Sequence, residues 1–349
     1  MITLARVIWS PDVSKTCLDS QPLSSKSELR LGDIDASNAA EMRSMFERIF
    51  AKPMSEAFWR WKYRADRGHA LGVWQGDRLV AHYGGIGADI VMDGKASRAV
   101  QIVDVMVDPA VRNSVRKTSP FFLATSTFLN RFIGYKQPYL LGYGFPSHRH
   151  LQLAERLNLY AAVGEMSELQ LSAKAAKLDR LLYRWQQVPG HLLQKHESTL
   201  NRLWQQMQQS LPAAILVRKD VERLRYRYVE HPEHQYEFWL LRRRLTNKAL
   251  AVVVLKPEPG RVLLMDVIAD LAALPNALMQ TARLVQQRWQ QPLAAWLSTA
   301  QVPSLRLSDR YVQVKPLPIC TPANIWTEGP QPAELKDRWW LMAGDTDFL

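Results

Sequence analysis

Asp104 is the one charged residue in an apolar run, Ile102-Val103-Asp104-Val105-Met106-Val107. A carboxyl group on a half-buried strand has its pKa raised if it faces an apolar cleft, which suits it to accept a proton near neutral pH. Just downstream, Arg112, Arg116 and Lys117 precede Ser119-Pro120. Serine is a good helix N-cap and proline a good first helical residue. The amides of Phe121 and Phe122 would then point outward. With the basic residues beside them they would suit an anion such as a pyrophosphate. The competing reading is a solvated basic loop ahead of a core helix. His82 and Tyr83 are neighbours on a predicted central strand, so one of the two must face the core. His148 and His150 flank Arg149 at a predicted helix start. Their spacing of two puts them on different faces, which speaks against a metal pair. Trp59, Trp61 and Tyr63 share one predicted helix, where core packing competes with stacking on a sugar or aryl group. Arg242-Arg243-Arg244, between two predicted strands, reads as a solvated hairpin edge.

The elements that must position these residues follow from hydrophobic period and punctuation. Residues 1–27 are Ser-rich and without period, and read as a loose arm. A strand is expected near 29–31, a helix over 38–50, and a helix over 56–65 capped by Ser55. The period then changes to two. Segments 70–75 and 78–85 form one expected hairpin, and 88–92 and 96–107 a second. A helix over 120–133, a strand over 139–143, a helix over 147–157 and a strand over 159–163 complete the first unit. Residues 173–208 are polar, Gln-rich and Arg-rich, and read as two helices split at Pro189-Gly190. A second unit starts near Pro212, with strands near 214–217, 236–243, 248–255 and 262–268. It ends with a helix over 274–289, a strand over 293–297 and a Trp-rich tail.

The two units look alike. Trp61-Lys62-Tyr63 stands six residues before His69, and Tyr226-Arg227-Tyr228 six residues before His234. Each triplet lies on a helix that leads into a strand series, which reads as an internal duplication. The expected layout is an arm over 1–27, a domain over 28–165, a helical bridge over 166–211 and a second domain over 212–349.

The element order over 28–165 resembles the GNAT acyltransferase superfamily. The resemblance rests on Ile102 to Pro109 as the fourth strand, Arg112 to Pro120 in the place of the pyrophosphate loop, and Gly144-Phe145-Pro146 with Leu151 to Tyr160 closing the cleft. Phe58-Trp59-Arg60-Trp61-Lys62-Tyr63, Gly142 to Pro146 and the ending Trp339 to Asp347 resemble a bacterial subgroup of tandem GNAT-like proteins. The resemblance implies an α/β (α+β) fold of two GNAT-like domains, each with a mixed, mostly antiparallel sheet flanked by helices. It implies acetyl-CoA or another acyl-CoA as co-substrate and no metal. It places the acyl-CoA against Val105, Met106, Val107, Arg112, Arg116, Lys117, Thr118, Ser119, Phe121 and Phe122. Asp104 would be the base, and Tyr143 would protonate the leaving thiolate, since Ala154 stands where the family often has tyrosine. Trp59, Tyr63 and His82 would border the acceptor, a small molecule such as an amine or hydroxyl compound, including a sugar or glycan precursor. The chain departs from the family in its loop, where neither register anchored on Arg112 or Arg116 has a glycine. In the second unit the corresponding turn, Ala269 to Pro275, has no Lys or Arg and carries Asp270, so that unit is expected to bind no nucleotide.

Composition narrows the alternatives. The 349 residues are 47% apolar and 22% charged, which suits a folded globular chain. Two cysteines, neither in a CxxC, exclude a disulfide framework. The longest apolar run, Ala249 to Leu255, is far short of the roughly 20 residues of a membrane-spanning helix. A cytoplasmic home is the resulting expectation. The net charge of +12 is spread along the chain and favours anionic partners. No nucleic-acid-binding motif accompanies it, so nucleic acid ranks last. An acyltransferase comes first, and a non-catalytic acyl-CoA or ligand-binding protein second.

Overall fold

The computed structural model describes residues 28–64, 67–112, 116–172, 179–308 and 310–349. The expected N-terminal arm lies outside these residues. Two seven-stranded sheets form the framework. The first carries β1 (Leu29–Asp33), β2 (Gly68–Gln75), β3 (Arg78–Met92), β4 (Lys95–Val107) and β5 (Leu141–Tyr143) in that order. Its first four strands are antiparallel, and β5 joins β4 in parallel. Helices α1 (Ala39–Phe50) and α2 (Glu56–Lys62) cover one face. Helices α3 (Pro120–Phe132) and α4 (His148–Arg156) cover the other. Each face seals its own apolar core: Met42, Met45, Trp59, Leu79 and Met106 under α1 and α2, and Leu71, Tyr83, Val100, Phe128 and Leu151 under α3 and α4.

The two hairpins expected over 70–85 and 88–107 merge, because β3 runs unbroken for 15 residues. Gly84, Gly85 and Gly87 look like turn residues in the sequence. Here they admit neighbours instead: a Cβ on Gly85 would meet Phe128 Cζ at 2.6 Å, and one on Gly87 would meet Tyr139 Oη at 2.6 Å. The glycines serve close packing inside a strand.

The second sheet runs β13 (Val312–Asn324), β6 (Tyr160–Leu171), β12 (Leu293–Ser298), β11 (Arg261–Ala269), β10 (Ala249–Glu258), β9 (Glu237–Arg243) and β7 (Tyr183–Val188). Residues 183–188, read as helix from their Gln and Arg content, form its edge strand against β9. Tyr183 and Trp185 alternate onto the core, a period of two hidden by the polar residues between them. From β7 onward the chain repeats the order of its first half. A short α5 (Asp179–Leu182) lies just ahead of β7, and helix α6 (Glu197–Ser210) follows that strand. Then come α7 (Val221–Leu224) with a π-helical turn Arg225–Val229, three antiparallel strands, α8 (Leu274–Trp289) and β12, which lies parallel to β11 as β5 does to β4.

The halves are interlocked. The expected boundary at 165 falls inside β6, which leaves the first repeat to pair antiparallel with both β12 and β13. In return, β8 (Ile215–Val217) pairs with β3, and β14 (Trp339–Trp340) pairs with β8, so both join the first sheet. Neither sheet is complete without chain from the other half.

Candidate functional site

Strands β4 and β5 pair only from Ala99–Leu141 to Gln101–Tyr143. Beyond that, β4 continues to Val107 while the chain turns away at Gly144-Phe145-Pro146. Where the strands part, β4 is bulged: His82 pairs with Met106 and Gly84 with Val103, so Asp104 and Val105 face the single residue Tyr83. Asp104 takes φ 49°, a left-handed conformation costly for a residue with a side chain.

Three side chains hold this strained residue. His82 Nδ1 lies 2.7 Å from the Asp104 carbonyl oxygen. Lys62 Nζ donates to Asp104 Oδ1 at 2.7 Å, and Tyr63 Oη donates to Oδ2 at 2.6 Å. Lys62 also donates to Asp347 Oδ2 at 2.8 Å, and Gln101 Nε2 to Asp347 Oδ1 at 3.2 Å. Helix α2 supplies Lys62 and Tyr63 because Ser55 caps its start, accepting from the Phe58 amide at 3.1 Å. Gly84 makes room, since a Cβ there would sit 2.3 Å from Tyr63 Oη.

The electrostatics are those of a buried ammonium between two carboxylates. Burial alone would lower the Lys62 pKa, but Asp104 and Asp347 outweigh it and push it up to about 12. Burial, then Asp104, pushes Tyr63 well above its ordinary value, so it keeps its proton. Burial raises Asp347, with the Asp104 charge adding to it against Lys62. Burial and nearby Lys62 lower His82 despite the opposing pull of Asp104. His82 is therefore neutral. Its Nδ1 faces a carbonyl, which can only accept, so Nδ1 carries the proton and Nε2 presents a lone pair. Nε2 is buried with no partner among the described residues.

Asp104 was expected to face an apolar cleft; it faces a lysine and a tyrosine, with both carboxylate oxygens engaged. Trp59 and Tyr63 were expected beside the acceptor. At 6% and 9% exposure they lie in the core under α1 and α2 and offer no open face for a sugar, and His82, expected there too, is buried at 1% exposure. Tyr143 is fully buried against Trp339, ring centroids 5.0 Å apart. Its hydroxyl has no partner among the described residues, and burial raises its pKa. Met106 is in the core under α1 and α2, while Val105 and Val107 pack on the α3 side. Arg112 Nη2 donates to the Val107 carbonyl at 2.9 Å.

The helix start forms as expected: Ser119 is the N-cap of α3, and Pro120 opens the helix. Its Oγ accepts from the Phe122 amide at 3.2 Å, so that amide is occupied rather than outward-facing. Phe122 is buried edge-on to Trp326, and Phe121 is half-buried. Arg116, Lys117 and Thr118 are exposed, and Lys117 Nζ lies 5.8 Å from the Trp326 ring centre. Residues 113–115 lie outside the described residues. The start of α4 adds to this basic region: the Arg112 charge is disfavoured by burial and by Arg149, against Asp108. His150 is pushed down to about 4 by burial, Arg149 and Arg112.

The sequence reading missed a second cluster of the same make. Lys219 Nζ donates to Asp266 Oδ1 at 2.5 Å and to Asp345 Oδ1 at 2.9 Å, and Tyr228 Oη donates to Asp266. The two triplets that revealed the duplication meet face to face. Trp61 Nε1 donates to the Tyr226 carbonyl at 2.9 Å, Tyr226 Oη donates to the Trp61 carbonyl at 3.2 Å, and their rings stack 5.1 Å apart. The tail serves both clusters, giving Asp345 to one and Asp347 to the other. Arg227 fixes it by donating to the carbonyls of Gly344, Thr346 and Leu349. In the turn before α8, Asp270 Oδ1 accepts from the Ala272 amide at 2.9 Å. Among the described residues no group of three or more His, Cys, Asp or Glu could hold a metal, and no helix is long and apolar enough to cross a membrane.

Residues 32–119 match the acetyltransferase (GNAT) domain family. No curated protein matches the chain. Among solved structures, the chain is similar to a conserved Enterococcus faecalis protein of unknown function described as a probable N-acyltransferase (14% identity, TM-score 0.66, 86% of this chain and 73% of that one). It is also similar to a GCN5-related N-acetyltransferase from Kribbella flavida (18%, 0.62, 84% and 71%). A third likeness is to Saccharomyces cerevisiae N-myristoyltransferase with bound myristoyl-CoA and inhibitors (11%, 0.55, 91% and 86%). At these identities the likeness is one of fold, and it spans both sheets. The first repeat thus matches the GNAT acetyltransferase domain family over residues 32–119, and the chain as a whole shares the fold of these GNAT structures.

Proposed function

We propose that the first repeat binds an acyl-CoA and transfers its acyl group to an amine or hydroxyl acceptor. The observation that carries this reading is the parting of β4 and β5 at the Asp104 bulge, with the α3 start and its basic approach beside it. The residues suit the co-substrate in charge: Arg112, Arg116, Lys117 and Arg149 would hold its phosphates, with the Phe121 amide at the helix start. When bound, it supplies an acyl thioester.

In this reading His82 Nε2 takes the proton of the attacking group, because it is the unprotonated atom beside the bulge that is buried without a partner among the described residues. Asp104 acts through position: its carbonyl fixes the His82 tautomer and its carboxylate anchors α2 through Lys62 and Tyr63. The Tyr143 hydroxyl, raised in pKa and therefore protonated, donates to the departing thiolate as the C–S bond breaks. The β4 amides from Val105 to Val107 would polarise the thioester carbonyl. The second repeat, with Asp270 in its turn, serves as scaffold.

The test is thermal shift and calorimetry with CoA, acetyl-CoA and longer acyl-CoAs, followed by thiol release with a panel of amines, sugars and glycan precursors. Binding with acceptor-dependent thiol release supports transfer. A second reading, acyl-CoA binding without turnover, draws on the glycine-free loop and the occupied Phe122 amide. Saturable binding with no thiol release across the panel would select it.

A further inference from the structure

At one end of the second sheet, three leucines stand in solvent. Leu245 is 94% exposed, Leu181 72% and Leu182 47%. They converge because β7 and β9 pair there. Tyr183 faces Arg243, Arg184 faces Arg242, and the Arg244 amide donates to the Leu182 carbonyl at 2.9 Å. Leu245 sits on the turn that follows, closed by the Arg243 amide donating to the Lys248 carbonyl. Buried leucines are the rule, and three exposed together on a sheet edge are a patch in need of an explanation.

The patch is ringed by positive charge. Arg184, Arg242, Arg243 and Lys248 come from β7, β9 and the turn, and Arg202 from α6 reaches the Ala249 carbonyl at 3.4 Å. The partners found for these arginines among the described residues are neutral. Arg184 donates to Asn247 Oδ1 at 2.5 Å, Arg242 to Gln186 Oε1 at 2.8 Å and to the Asn247 carbonyl at 3.0 Å, and Arg202 to Gln206 Oε1 at 3.1 Å. Burial and the repulsion of Arg184 and Arg202 lower the Arg242 pKa. Some exposed arginines elsewhere do sit beside carboxylates, as Arg64 does beside Glu230 and Arg131 beside Asp33. Here, among the described residues, Arg184, Arg202 and Arg242 have neutral partners, and they stand around protruding apolar side chains.

We propose that this edge is a docking surface for an anionic lipid bilayer, with Leu181, Leu182 and Leu245 entering the headgroup layer and Arg184, Arg242, Arg243 and Lys248 meeting the lipid phosphates. Leucines within a basic rim suit a surface that is apolar beneath and negative above. A nucleic-acid site would pair the arginines with stacking aromatics, and the protruding side chains here are aliphatic.

The test is co-sedimentation of the full chain with vesicles of phosphatidylcholine alone and of phosphatidylcholine with about one-third phosphatidylglycerol, a mixture of the kind anionic leaflets present. The expected result is binding to the mixed vesicles only, weakened by raised salt. Arg243→Gln with Lys248→Gln should weaken it by about fivefold per charge removed. Leu181→Gln with Leu245→Gln should weaken it at least about tenfold with an unchanged melting point, since both leucines are solvated in the free protein. Absence of binding to the mixed vesicles overturns the proposal. So does equal binding by wild type and both double variants, or binding of single-stranded RNA with the same sensitivity to the variants and no vesicle binding.

Discussion

The two repeats bury the same device and put it to different ends. Each has a lysine between two aspartates, one from the bulged strand and one from the shared tail, and a tyrosine donating to the strand aspartate. In the second repeat the device is closed: the Asp345 side chain is 2% exposed and β10 presents only apolar side chains beside Asp266. In the first, the Asp347 side chain is 12% exposed, Asp104 is left-handed, and β3 brings His82 with a buried Nε2 that has no partner among the described residues. A lysine–dicarboxylate cluster therefore marks the duplication and clamps the tail. The histidine and the strained bulge distinguish the half proposed to do chemistry.

The largest effect should come from opening the closed cluster. Lys219→Met leaves two buried carboxylates without a cation and should cost about 3–5 kcal/mol in urea unfolding. Lys62→Met should cost less, because solvent reaches Asp347. Equal losses would break the comparison of a closed and an open cluster.

His82→Gln should lower acyl transfer by about a hundredfold or more while acyl-CoA affinity and the melting point stay near wild type. Wild-type turnover in the variant would remove His82 from the proposed proton path and leave the two clusters alike in role.

The loop offers a smaller handle. Arg116→Glu with Lys117→Glu should weaken acyl-CoA binding at least about tenfold, or 1.4 kcal/mol, by calorimetry. The titration should saturate at one molecule per chain. Two sites per chain would show that the turn holding Asp270 binds as well.

The smallest effect is a matter of pH. The Lys62 pKa rises from 10.5 to about 12 on folding. Its stabilising contribution is full below pH 10.5 and is lost as pH rises toward 12. Wild type should lose more stability than Lys62→Met between those values. Parallel alkaline profiles would mean that Lys62 is not held by its carboxylates.

Much of the first repeat was legible because local rules and tertiary packing agree there. Ser55 and Ser119 cap the helices they were read to cap, and Asp104 lies on the strand edge where β4 and β5 part. The second repeat was harder. Its first strand hides Tyr183 and Trp185 among polar residues; in the first repeat the exception is β3, whose three glycines imitate a turn.

By itself, the sequence determined most elements of the first repeat, the duplication and the basic approach to α3. These depend on period, caps and composition, which are properties of neighbours along the chain. Only the tertiary structure decided that β6 crosses to the second sheet while β8 and β14 return to the first. It also decided that Asp345 and Asp347 meet lysines 126 and 285 positions away. The orientation of His82 belongs with these, because its hydrogen bond goes to a carbonyl exposed only by a bulge between two strands. Contacts of that kind form when distant segments exclude water together, and no local pattern records them.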